Sequence, residues 1–114
     1  MIRARAPQRF ASAAPVFAAL GDATRLSLIA RMCSHGPQSI VQLTEGGEVT
    51  RQAVTKHLKA LAGAGLVRSR RQGRERIWSL QPTRLLEARH HLDAISSQWD
   101  AAIERLRAFV EIDG

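Results

Sequence analysis

A chain of 114 residues suits one compact domain with a real core, and its ordinary mix of apolar and charged residues excludes a disordered or fibrous protein. No apolar run approaches the roughly 18 residues of a membrane-spanning helix, and a single cysteine, Cys33, excludes an internal disulfide, which fits a reducing cytoplasm. The formal net charge is +7, and all of it sits between residues 50 and 80, where eight basic side chains face one acid, Glu75; nine of each sign cancel over the rest, so the charge points to a polyanionic partner.

Residues 1–14 are rich in Arg and Ala, lack acids and hold Pro7. They read as a flexible basic N-terminal arm, with a transit peptide as the alternative. The folded domain is expected over residues 15–112. "PVFAAL" (15–20) reads as a short helix broken by Gly21. Asp22 then stands at an N-cap position before "ATRLSLIARM", whose apolar face reads as Leu26, Ile29 and Ala30 and which ends at "SHGP". Cys33, near that end, reads as a small buried apolar residue. Ser39 and Gln42 have the S-x-x-Q spacing of a capping box and open a short helix, 40–44. "EGGE" (45–48) is a tight turn, and Thr50 caps a fourth helix that runs to about Ala62.

After "GAG" (63–65) the period changes to two. Residues 66–71 and 74–80 are strand-like and join through Gln72-Gly73, a hairpin with glycine at the turn. Trp78 and Leu80 share one side of the second strand, and Trp78 is expected to pack the hairpin onto the body. Pro82 fits the first position of a long helix, 82–110. There Leu85, Leu92, Trp99 and Leu106 recur every seven residues, as do Ala88, Ile95, Ala102 and Phe109. This stripe resembles coiled-coil a and d positions and is wider than one small domain needs. It predicts a dimer with Leu85, Leu92, Ile95, Trp99 and Leu106 at the interface. The order is mainly α with one β-hairpin, α-α-α-α-β-β-α. Two short helices joined by a glycine turn, with a basic hairpin behind them, make a winged helix-turn-helix.

On a helical wheel of the fourth helix, Val54, Leu58 and Leu61 face one way. Gln52, Lys56 and Lys59 fall opposite, with Thr55 and Ala60 flanking them. Thr50 and Arg51 stand at the helix start. Gln can read adenine bidentately, and Lys can read guanine or pair with phosphate. In the hairpin "RSRRQGRERIW", Arg68, Arg70, Arg71 and Arg76 join this candidate surface as backbone contacts, and Arg74 at the tip suits a narrow minor groove. No aromatic interleaves with the basic tip, which argues against a single-strand stacking platform. Double-stranded DNA is the expected partner.

The stretches "FAALGDATRLSLIARM", "TRQAVTKHLKALAGAGLV" and "RRQGRERIWSL" resemble the ArsR/SmtB family of bacterial transcriptional repressors. The resemblance covers residues 17–110. It implies a homodimer joined through its first and last helices, a recognition helix over 50–62 and a phosphate contact at His57; a dimer spanning two major grooves is expected to read an inverted-repeat operator. The family's sensing sites fit poorly. The third helix has no Cys-x-Cys pair. Glu87 and His91 have usable ligand spacing on the last helix, but Ala102 stands where a completing His would, leaving Asp93, Asp100 and Glu104 as weak substitutes. A cysteine pair between the second and last helices is impossible with Cys33 alone. No metal and no cofactor are therefore expected. A metal-responsive repressor and a non-specific RNA-binding or nucleoid protein are the alternatives. No nucleophile motif or phosphate loop marks an enzyme.

Overall fold

Three helices in this chain begin where a short polar side chain accepts a backbone N–H. The computed structural model describes residues 2–113, with side-chain environments from 11 to 111. Along these residues run α1 (Ile2–Leu20), α2 (Ala23–His35), β1 (Gln38–Ser39), α3 (Ile40–Thr44), α4 (Arg51–Gly63), β2 (Val67–Gln72), β3 (Glu75–Leu80) and α5 (Pro82–Asp113). Asp22 caps α2 by accepting the Arg25 N–H at 3.0 Å. Ser39 and Gln42 form the expected reciprocal box: the Ser39 N–H donates to Gln42 Oε1 at 2.9 Å and the Gln42 N–H to Ser39 Oγ at 3.3 Å. Thr50 caps α4 by accepting the Ala53 N–H at 3.1 Å.

Several boundaries differ from expectation, among them the hairpin turn, at Gly73-Arg74 where Gln72-Gly73 was expected, and the end of α5, at Asp113 where residue 110 was expected. α1 begins at Ile2 rather than near Pro15, so the segment read as a basic arm is helical from Ile2 onward, and Met1 lies outside the described residues. Alanine, the strongest helix former, supplies seven of its nineteen residues. Pro15 lies on the exposed side, while Ala13, Val16 and Ala19 are buried. β1 has no counterpart among the expected elements. Its two residues pair antiparallel with β3, Gln38 opposite Trp78 and Ser39 opposite Ile77, giving a sheet in the order β1-β3-β2. A two-residue strand has no period to read.

The hairpin register puts Gln72 opposite Glu75, so its turn is Gly73-Arg74. Gly73 has φ +64° and Arg74 does not have positive φ. Positive φ at only the first turn position is the type II′ arrangement, which matches the twist of the flanking strands. Gly36, at φ +75°, ends α2 in a conformation that a side chain would strain, and its N–H reaches Met32 O at 2.9 Å.

The core gathers Leu28, Ile29 and Met32 of α2, Leu43 of α3, Val54, Leu58 and Leu61 of α4, then Leu66, Val67 and Trp78. The inward face of α4 is the expected one. That of α2 is not: Leu26 is 50% exposed and Ala30 is exposed. Both lie two residues, about 200°, from a residue at the centre of the Leu28-Ile29-Met32 stripe. Cys33, expected to be buried, is exposed for the same reason, because one residue past Met32 turns its thiol about 100° toward solvent. Trp78 packs the hairpin onto the body as expected.

The start of α5 belongs to this core through Ala88, which is buried, and Leu85, which is partly buried. Beyond that the helix leaves the body. Leu92, Ile95, Trp99, Ile103, Leu106 and Phe109 are 41–67% exposed. The chain is accordingly elongated, 67 × 38 × 20 Å. Among the described residues no single helix is long and apolar enough to cross a membrane.

Asp22 is held below the ordinary carboxylate range, chiefly by the Arg25 backbone N–H; partial burial opposes this, and the nearby His57 and Arg25 add to the lowering. A depressed folded pKa stabilises the fold above the unfolded pKa, and that stability is lost as pH falls through the folded value. Thermal unfolding followed from about pH 7 to about pH 2 should therefore show a smaller acid loss in Asp22→Asn, which keeps a capping oxygen but does not titrate. The buried face of α2 and α4 makes a second expectation. In urea, Leu58→Ala should lose about 2–5 kcal/mol, whereas Leu26→Ala should stay within about 0.5 kcal/mol of the parent.

Candidate nucleic-acid interface

The outward direction of α4 follows from its buried one. With Val54, Leu58 and Leu61 in the core, Arg51, Gln52, Lys56 and Lys59 are exposed on the opposite side. Together with Thr55 they line one groove along the helix. Neither acid nor buried partner engages these cations within the groove's lining. Thr50 is at the helix start as expected, but its hydroxyl is occupied by the cap.

His57 turns the other way. Its ring is mostly buried against the start of α2, where Arg25 Nε donates to Nδ1 at 3.3 Å and Asp22 Oδ1 lies 3.9 Å from the same nitrogen. His57 thus ties the recognition-type helix to the cap of α2 rather than joining the groove of Arg51, Gln52, Thr55, Lys56 and Lys59.

A residue that sequence reasoning missed holds the neighbouring helix. Arg31 of α2 donates from Nη1 to the carbonyls of Leu43 and Glu45, both at 3.1 Å, and from Nη2 to that of Gln42 at 3.0 Å. These carbonyls close the end of α3, and one planar fork engages all three, sharing that of Gln42 with the Glu45 N–H. The sequence shows an arginine on a helix but nothing of its acceptors, which lie 11 to 14 residues away.

The hairpin divides its arginines between two faces. Arg71 is opposite Arg76 and Ser69 opposite Trp78, so these share the face of the buried tryptophan; Arg70, opposite Ile77, and Arg68, opposite Ser79, share the other. Arg68 and Arg76 therefore do not act from one face. Arg76 Nη1 donates to Ser69 Oγ at 2.9 Å. Two arginines directly opposite repel each other, and no acid shares their face. Arg74 occupies the turn itself and is exposed.

The residues weighed for sensing do not converge. Among the described residues no three His, Cys, Asp or Glu side chains come together as a metal could require. Glu87 accepts from Arg84 at 3.0 Å, an exposed ion pair on its own helix.

Comparison with known proteins agrees with this geometry. Residues 20–70 match a helix-turn-helix domain family. An HTH-type transcriptional regulator of Mycobacterium tuberculosis is 35% identical over 96 residues, covering 84% of this chain and 86% of its own. The arsenical resistance operon repressor of Bacillus subtilis is 37% identical over 57 residues, half of this chain and 54% of its own. The solved structure of an ArsR-like transcriptional regulator from Rhodococcus sp. RHA1 superposes with a TM-score of 0.71 at 34% identity, covering 88% of this chain and 93% of its own. With a capped helix-turn-helix, a basic antiparallel wing and these relatives, the chain belongs to the ArsR family of winged helix-turn-helix transcriptional regulators, which are DNA-binding proteins rather than enzymes.

Proposed function

We propose that the chain is a dimeric, sequence-specific repressor that reads an inverted-repeat operator, with α4 in the major groove and the wing on backbone and minor groove. One observation carries this reading. The chain's entire net charge is confined to α4 and the wing, and on α4 it lies on the exposed face. Concentrated, unneutralised cations gain most from a polyanion, because each phosphate they neutralise releases a condensed counterion. The polar ends of Gln52, Lys56 and Lys59 match base edges that the major groove displays, which favours sequence reading over uniform coating.

Dimerisation is supported by α5. Its exposed apolar side chains form the stripe already visible in the sequence, and such a face on a small domain marks an interaction surface. A second copy covers it symmetrically. Leu92, Ile95, Trp99 and Leu106 carry the interface, while Leu85 mainly serves its own protomer's core. A repressing direction is favoured by the likeness to the Bacillus operon repressor. The protein acts in the cytoplasm, without a resident cofactor or metal.

Sedimentation at micromolar concentration tests the dimer: Trp99→Glu should shift the chain toward monomer, and an unchanged, fully dimeric variant would sink the assignment. A salt series on operator and scrambled DNA tests the reading surfaces. The dimer should engage two major grooves about 34–36 Å apart. Gln52→Ala or Lys56→Ala should lose about 1–3 kcal/mol on the operator and relax preference at particular bases. Arg74→Ala and Arg76→Ala should weaken binding to both DNAs. Each phosphate that is no longer neutralised should lower the slope of log K against log salt by about 0.9, twice that in a symmetric dimer. The reverse pattern would show that the two surfaces are assigned the wrong way round.

A further inference from the structure

Five side chains line the groove on α4, and four of them end in groups that donate hydrogen bonds: Arg51, Gln52, Lys56 and Lys59. Thr55 differs. Its hydroxyl donates to the Arg51 carbonyl at 2.8 Å, inside its own helix. Threonine has one hydroxyl hydrogen, so none is left for guanine O6 or N7, adenine N7 or thymine O4. What Thr55 can still offer the groove is an acceptor lone pair on Oγ1, suited to adenine N6–H or cytosine N4–H, and its γ-methyl, the one apolar group at this position. The internal bond also fixes χ1, so that methyl has one direction before any partner arrives.

The position is central. Arg51 and Gln52 stand four and three residues before Thr55, and Lys59 four residues after it, so all are its neighbours on the helix surface. Long flexible arms thus surround one short, stiff apolar group. In the major groove the one apolar group on a base edge is the 5-methyl of thymine. We infer that Thr55 reads thymine through its methyl group, and is a specificity-determining residue by apolar contact rather than by hydrogen bonding. The inference rests on the proposal that α4 enters the major groove.

The test uses the full chain and duplexes that it enriches from a random pool. Each thymine of the enriched site is replaced singly by deoxyuridine, which removes only the 5-methyl group. At one position per half-site the replacement should weaken binding by about fourfold, the equivalent of about 0.8 kcal/mol for one buried carbon. Thr55→Val keeps a γ-methyl without the hydroxyl and should retain that thymine-to-uracil ratio. Thr55→Ser keeps the hydroxyl without the methyl and should bring the ratio to one. Each ratio compares two DNAs on one protein sample, so a partly unfolded variant does not distort it.

Indifference of the parent chain to every deoxyuridine replacement overturns the inference, as does an enriched site without thymine. A ratio that persists in Thr55→Ser, or disappears in Thr55→Val, also overturns it, because another group then reads the methyl or the hydroxyl does the reading. If no sequence is enriched, the sequence-specific reading itself fails and the inference falls with it.

Discussion

The burial of Val54, Leu58 and Leu61 decides where every polar side chain of α4 points. Leu58 and Leu61 are fully buried and Val54 nearly so. A helix turns about 100° per residue, so fixing three inward positions fixes the rest. Arg51, Gln52, Lys56 and Lys59 are presented outward by the same contacts that hold the domain together. Stability and surface chemistry are two faces of one element, and no separate device orients the groove.

Polar contacts then set the register of the neighbouring helices. Arg31 gathers the end of α3 onto α2, and the Asp22-Arg25-His57 group gathers the middle of α4 onto the start of α2. α2 contributes buried residues on one stripe and two guanidinium anchors beside it. It therefore works as the frame on which the two helices of the turn motif are mounted. Each anchor satisfies groups that a helix end otherwise leaves without partners.

What could be read from the sequence was local. The capping box at Ser39 and Gln42, the cap at Thr50 and the glycine hairpin are decided by residues within a few positions of one another. The apolar face of α4 was legible because its three leucine and valine positions repeat without ambiguity. α2 was not, because "RLSLIARM" offers two apolar stripes and only its neighbours choose between them. Cys33 followed that choice to the surface. β1 depends wholly on β3, and Leu85 fits both a coiled-coil stripe and the core beneath it. On the candidate surface, the directions of the side chains were partly hidden. His57 faces α2 because of Arg25, 32 residues away.

The opposed pair Arg71 and Arg76 has a consequence for how the free and bound protein answer to ions. In the free chain Arg71 and Arg76 stand opposite each other on two paired strands, and Arg76 donates to Ser69 Oγ. Dissolved ions screen their mutual repulsion, over a distance of about 8–10 Å at ordinary ionic strength. A bound polyanion relieves it more completely, and the same ions weaken that attachment. On the proposed reading, added electrolyte eases the empty wing while loosening the occupied one. The ionic surroundings of the wing then act on its two states with opposite sign.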